Sequence, residues 1–314
     1  MPHTVTRSIV GLLAAWTMVA GAGATAGAAD AVQSPTRTVY VSVSDKKGTA
    51  VTDMLPADFE VKVGGKVQQV VSAEPATTPL RIALIVADQG TGAFQQGLAH
   101  FMQNLLGHAE FALISVIKQP ETVVDYSPSG ATLSAGLSRM GRRGREIGAQ
   151  LMEAIDARTK DVAMEGRRPV IVVLRLGGEN PSQLSGDQVR DDLRKSGAIL
   201  YVISTAGADR GAPSQARGTD AMSMQQGQLH DADLADAATN LAQVLGDGAK
   251  ESGGHHDQVI STTFASTVEQ LADELQHQYE VTYTMADGVK PGDKLSVSSK
   301  RKGTTAHAPQ RLPD

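Results

Sequence analysis

The sequence predicts an α/β chain: a doubly wound, mostly parallel sheet with helices on both faces, plus a small β unit. Three observations predict it. Leu80–Ala87 and Pro169–Leu174 are almost uninterrupted apolar runs of strand length, as expected of strands buried on both faces. Between such runs, apolar residues recur at helical spacing, so strands and helices alternate. Near the two ends, apolar residues fall at every second position, the mark of half-buried strands.

The first 28 residues read as a signal peptide. His3 and Arg7 precede an apolar run from Ile9 to Ala22, and small residues end in Ala26-Gly27-Ala28, an A-x-A cleavage site before Ala29. The run is too short and too glycine-rich for an anchor. It predicts a periplasmic or secreted bacterial protein with no integral membrane segment after cleavage.

Residues 38–73 form the small β domain. Val39, Val41 and Val43 alternate with polar residues, as do Phe59, Val61 and Val63. Gly64-Gly65 reads as a two-residue hairpin loop, and Val67–Val71 returns as a strand. A unit this small needs something to pack on. Pro75–Pro79 is a linker.

The main domain spans 80–278. Its first strand, Arg81–Ala87, leads to a helix with Phe94, Leu98, Phe101, Met102 and Leu105 on one face, ended by Gly107. Phe111–Ile117 is a strand and Thr122–Tyr126 its hairpin partner. Ile147, Leu151 and Ile155 mark a helix. After the strand at 169–174, Ser185-Gly-Asp-Gln188 fits a capping box, with Leu184 and Val189 as its staple. Ala198–Ile203 is a further strand. Residues 206–230 have no period and are expected to be a disordered insertion. Leu234, Ala238, Leu241 and Leu245 share a helix face closed by Gly246 or Gly248. Ser252–His256 is read as a turn. Ser266-Thr-Val-Glu269 fits a second capping box, opening a helix with Val268, Leu271, Ala272 and Leu275 inward. The C-terminal β segment, 279–299, alternates over Tyr279–Thr284 and Lys294–Ser299. The tail, 300–314, is expected to be loose.

Composition excludes several functions. The net charge is -5, without a basic block, and aromatics are 4%, so no nucleic-acid partner is expected. The chain has no cysteine, which rules out disulfides, thiolate metal sites and a cysteine nucleophile. No G-x-S-x-G elbow is present, and no serine has a motif-linked histidine. Catalytic residues are therefore not expected.

A site belongs where the central strand ends, at Asp88-Gln89-Gly90-Thr91-Gly92. A dinucleotide loop fails here. Its third glycine falls on Gln95, and the second strand ends at Lys118-Gln119-Pro120 instead of an acid. A divalent-metal loop is the better-motivated design. Here the chain resembles the von Willebrand factor A-type (VWFA) domains, in particular the bacterial exported VWFA-related group. Val51–Val61 with Gly65-Lys66 resembles that group's N-terminal block. Arg81–Asp88 resembles its first strand and Gly148–Ile155 its "G-T-A-L-Y-D-A-I" helix start. Val170–Asn180 and Leu193–Ile203 resemble its fourth and fifth strands. Ser252-Gly253-Gly254 and Leu275–Tyr283 resemble its closing elements.

The resemblance implies a metal-ion-dependent adhesion site (MIDAS) with D-x-S-x-S after the first strand. Asp88 stands, but the serine positions are Gly90 and Gly92. The ligand threonine falls on Ala149 and the third-loop aspartate on Gly177. A hard cation such as Mg²⁺ needs those oxygens. Asp88, Thr91 and Glu179 remain as candidate ligands of a degenerate site, and no cofactor is expected. Asp88 otherwise serves as a cap for the first helix. The cluster Arg142-Arg143-Gly144-Arg145 with Glu146 reads as a solvated loop, and His255-His256-Asp257 as a polar loop.

The functional expectation is an exported, non-enzymatic protein-protein interaction or scaffolding module, independent of metal, with a protein partner at the loop rim. One alternative is a divalent-metal-dependent adhesion module built on Asp88. Another is a small-molecule binder or enzyme with its pocket at the strand carboxyl ends.

Overall fold

A computed structural model of the chain describes residues 35–88, 90–140, 149–205, 221–285 and 288–313, and of 221–230 the backbone alone. The predicted signal segment, the Arg142–Glu146 cluster and residues 206–220 lie outside the described residues.

Strand β1 (Thr36–Asp45) buries Val39, Val41 and Val43. A hairpin follows, β2 (Phe59–Val63) and β3 (Lys66–Gln68), turning at Gly64-Gly65 as the sequence predicts. The expected return strand does not run on through Val71. It breaks at Gln69, and β4 (Val70–Pro75) belongs to a different sheet.

The main layer begins with β5 (Leu80–Ala87), buried at every residue but Arg81. Helix α1 (Gln95–Leu105) and the residue before it bury the predicted face: Phe94, Leu98, Phe101, Met102 and Leu105. Then come β6 (Ala109–Val116), β7 (Pro120–Ser127), α2 (Gly130–Met140), α3 (Leu151–Thr159) and β8 (Arg168–Arg175). Helix α4 (Gly186–Ser196) opens as predicted, with Ser185 Oγ accepting from Gln188 N at 3.2 Å. β9 (Ile199–Thr205) follows. Helix α5 (Ala221–Gln243) then passes through a π-helical stretch, Val244–Gly248, into α6 (Ala249–Ser252). β10 (His256–Val259) and α7 (Phe264–Gln276) complete the layer.

These six strands form one sheet in the order β10-β9-β8-β5-β6-β7. All pairings are parallel except that β7 runs antiparallel to β6. One face packs Leu84, Phe111 and Tyr201 against α1, α2 and α7. The other packs Ile85, Ile171 and Val202 against α3, α4 and α5. Each such fully buried apolar side chain contributes about 1.5–3 kcal/mol. The fold is thus the expected VWFA-like, doubly wound sheet with helices on both faces. Its central strand delivers Asp88 to the carboxyl edge, where the chain order reverses between β5·β6 and β5·β8.

The N-terminal and C-terminal β segments meet. β11 (Tyr279–Thr284) lies between β1 and β4, and β13 (Thr304–His307) pairs with the other edge of β1. β12 (Leu295–Ser299) pairs with β2. The two sheets, β13-β1-β11-β4 and β12-β2-β3, close over Val41, Phe59, Val61, Tyr279, Val281 and Leu295. So the N-terminal and C-terminal β segments are halves of one sandwich.

Four expectations are corrected. The tail is not loose: β13 is a strand, Leu312 is 1% exposed, and Arg301 pairs with Asp53 and Asp58. The aperiodic stretch does not reach residue 230, because α5 starts at Ala221. That helix does not stop at Gly246 or Gly248; it runs to Ser252 and ends at Gly253. Ser266 does not open a helix. α7 begins at Phe264, and Ser266 Oγ donates to Thr263 O at 2.9 Å from inside it.

Candidate functional site

Three loops at the carboxyl ends of the sheet hold the positions expected to form the site: after β5, before α3 and after β8. Asp88 closes β5 and is 5% exposed. Its Oδ1 accepts from Gly90 N at 3.0 Å and its Oδ2 from Gly92 N at 2.8 Å. Gly90 and Gly92 have φ of 70° and 72°, a region that other residues enter at a cost, which fits glycines at both serine positions. Because α1 starts only at Gln95, Asp88 does not cap the helix as expected; it staples the loop that precedes it. The Thr91 hydroxyl is engaged within its own loop. Its Oγ1 donates to Asp88 O at 2.9 Å and accepts from Ala93 N at 3.3 Å.

Glu179 lies on the loop after β8. Its carbonyl accepts from Ala149 N at 2.9 Å, and the next residue, Asn180, uses Oδ1 to accept from Leu151 N at 2.9 Å. The β8 loop therefore caps α3 by side chain and holds the loop before it by backbone. Gly177 and Gly178 take φ of 118° and 107° between them. Arg175, the last residue of β8, is 6% exposed, pairs in register with Ala87, and donates to Gly178 O at 2.8 Å. This buried guanidinium thus braces the loop after β8. Asp88 and Thr91 share one loop, while Glu179 is fixed on another through its main chain. Among the described residues, no group of three or more His, Asp or Glu side chains is placed to hold a metal ion.

The structure also pairs residues that sequence reading missed. Ser204 Oγ lies 2.8 Å from His256 Nε2, a nucleophile-base distance. Ser204 is 0% exposed, so no substrate carbonyl reaches it. Its neighbour His255, expected in a polar loop, joins a buried network. Nε2 is 3.0 Å from Glu274 Oε2, and Nδ1 is 3.0 Å from Asp257 Oδ2, an ion-pair distance without hydrogen-bond geometry. Tyr201 donates to Glu274 Oε1 at 3.1 Å. Gln278 Nε2 donates to Tyr201 Oη and to Ser42 Oγ, and Gln278 Oε1 accepts from Arg168 at 2.8 Å. The network crosses from the sheet to the sandwich.

Burial opposes a charge on His255, but Asp257 and Glu274 outweigh it and raise its pKa to about 10. Glu274 is likewise opposed by burial yet held below the usual carboxylate range by His255. Burial and then the positive charge of His255 push His307 down, although Glu274 and Asp257 pull the other way.

A cleft of about 770 Å³ is not at the carboxyl ends, where the small-molecule alternative would place its pocket. It lies at the opposite end, between α4 and the sandwich, and touches Pro169 and Ile199 near the starts of β8 and β9.

Comparison with protein-family models and with curated proteins finds no match. Solved structures do resemble the chain. BatB, a conserved hypothetical protein from Bacteroides thetaiotaomicron, is 12% identical, with 63% of this chain and 99% of BatB covered, at TM-score 0.41. The vWF domain of the type V pili tip protein Mfa5 from Porphyromonas gingivalis is 9% identical, covering 64% and 96%, at TM-score 0.41. The pilus adhesin SpaC from Lactobacillus rhamnosus GG is 8% identical; 82% of this chain covers 48% of SpaC, at TM-score 0.43. Similarities this low transfer neither residue roles nor activities.

Proposed function

We propose that this VWFA-like chain is an exported, non-enzymatic protein-protein interaction or scaffolding module whose loop rim works without metal. The observation that carries this is the state of Asp88. Both its oxygens already accept loop N–H bonds, at 3.0 and 2.8 Å, and the carboxylate is buried beneath the loop it holds. The positions that would supply further oxygens are Gly90, Gly92, Ala149 and Gly177, none with a side-chain oxygen. Mg²⁺ demands near-octahedral oxygen coordination, and these residues do not fit it. The same hydrogen bonds fix the loop rigidly, which suits a preformed recognition rim. Thr91 is exposed and Glu179 half-exposed, so the rim offers side chains to a partner. Ser204, which lies beside His256, is sealed inside, which favours binding over hydrolysis. The predicted signal peptide supports export.

The test is crosslinked pull-down by the mature chain from its native exported fraction, with EDTA present throughout. The expected result is a partner recovered in EDTA and lost in a Thr91→Arg, Glu179→Arg variant that still melts cooperatively. Recovery only with added Mg²⁺ would favour the metal-dependent adhesion reading. Recovery indifferent to the rim substitutions would remove the rim from the account.

A further inference from the structure

The cleft at the amino ends of the strands is independent of the rim and carries its own chemistry. Its walls are the start of β1, the last turns of α4, and the C-terminal segment. Five cationic side chains line it against three acids, in a chain whose net charge is -5. The acids are all engaged. Asp187 and Glu251 pair with Arg190 at 3.2 and 2.7 Å, and Asp191 pairs with Arg194 and Lys195, each at 2.6 Å.

Two cations are left, Arg37 and Arg311. Neither has a carboxylate partner among the described residues. Arg37 Nη1 donates to Pro313 O at 3.4 Å, and Arg311 Nη1 donates to Gly292 O at 3.2 Å. A guanidinium has five N–H donors, so most of this capacity is unspent. Both line the same cleft. Gly292 N donates to Leu312 O at 3.0 Å, which brings the carbonyls that anchor them onto adjoining backbone. Around them, Pro291, Pro309 and Pro313 supply rigid apolar walls, with Val39 on β1. A junction cleft of this volume, mostly apolar with a few polar groups, has the form of a small-molecule site.

We propose that this cleft binds a small organic anion. Arg37 and Arg311 take its carboxylate or sulfonate head, and the prolines pack its apolar body. Guanidinium suits that head because it presents paired donors to paired oxygens.

The probe is 1-anilinonaphthalene-8-sulfonate, titrated by fluorescence into natively folded protein. Saturable, single-site binding is expected, weakened at least tenfold by Arg37→Gln with Arg311→Gln. The uncharged analogue N-phenyl-1-naphthylamine is expected to bind at least tenfold more weakly. If the double variant does not melt cooperatively, Arg311→Gln alone carries the test, since that side chain is exposed; at least a threefold loss is expected. Absence of saturable binding overturns the proposal. So does affinity unchanged by the substitutions, or equal affinity for the neutral dye, either of which would mark a merely apolar patch.

Discussion

Asp88 holds the loop after β5 with both oxygens of one carboxylate. Its carboxylate is an acceptor for two backbone donors in that loop. Asp88→Asn keeps the shape but replaces one acceptor oxygen by a donor facing an N–H. We expect a loss of about 1–3 kcal/mol in urea unfolding. A neutral result would mean that the loop holds itself. His255 makes a second prediction, about pH. Its folded pKa, about 10, lies above the unfolded value near 6.5. Its contribution is therefore fully present below pH 6.5 and disappears as pH rises through 10. The depressed Asp257 and Glu274 act the other way, losing their contribution as pH falls through their folded values. The stability gap between wild type and His255→Gln should be widest between the two windows and shrink towards pH 10. A gap that is flat from pH 6 to 10 would contradict the partly buried ion cluster.

Among the elements, those legible in the sequence were those whose burial is one-sided or complete. β5 and β8 read as apolar runs because both faces are covered, and α1 because Phe94, Leu98, Phe101 and Leu105 share a stripe. β10 was illegible. Its four residues, His-Asp-Gln-Val, are mostly polar and too few to show a period, and it exists because β9 offers a backbone edge. Helix α2 was overlooked although Leu133, Leu137 and Met140 sit at helical spacing; its glycines and serines masked the signal. In the site, the missing oxygens were readable from Gly90, Gly92, Ala149 and Gly177. The Ser204–His256 pair and the His255 network were not, because they join residues far apart in the chain. β10 gives its own prediction. A Cβ on Gly254 would fall 2.1 Å from Leu200 O, a backbone atom that cannot swing aside. Gly254→Ala should cost about 1–3 kcal/mol, read by thermal or urea unfolding. No change would mean that β10 does not approach β9 this closely.

As a whole molecule, residues from Ser34 onward form one compact unit, tied by a polar bridge. Arg168 on β8, Gln278 before β11, Tyr201 on β9 and Ser42 on β1 connect sheet to sandwich through buried hydrogen bonds. The C-terminal segment seals the sandwich core with Leu312. Leu312→Ala should destabilise the whole chain by about 2–5 kcal/mol in a single unfolding transition. A loose tail would give almost nothing. The two proposed surfaces lie at opposite ends of the parallel strands, so each can be altered without the other. We propose that the rim works without metal. Calorimetric titration of Mg²⁺, Mn²⁺ and Ca²⁺ into the mature protein tests it most directly. We predict no saturable heat from any of the three; a saturable signal abolished by Asp88→Ala would contradict the account.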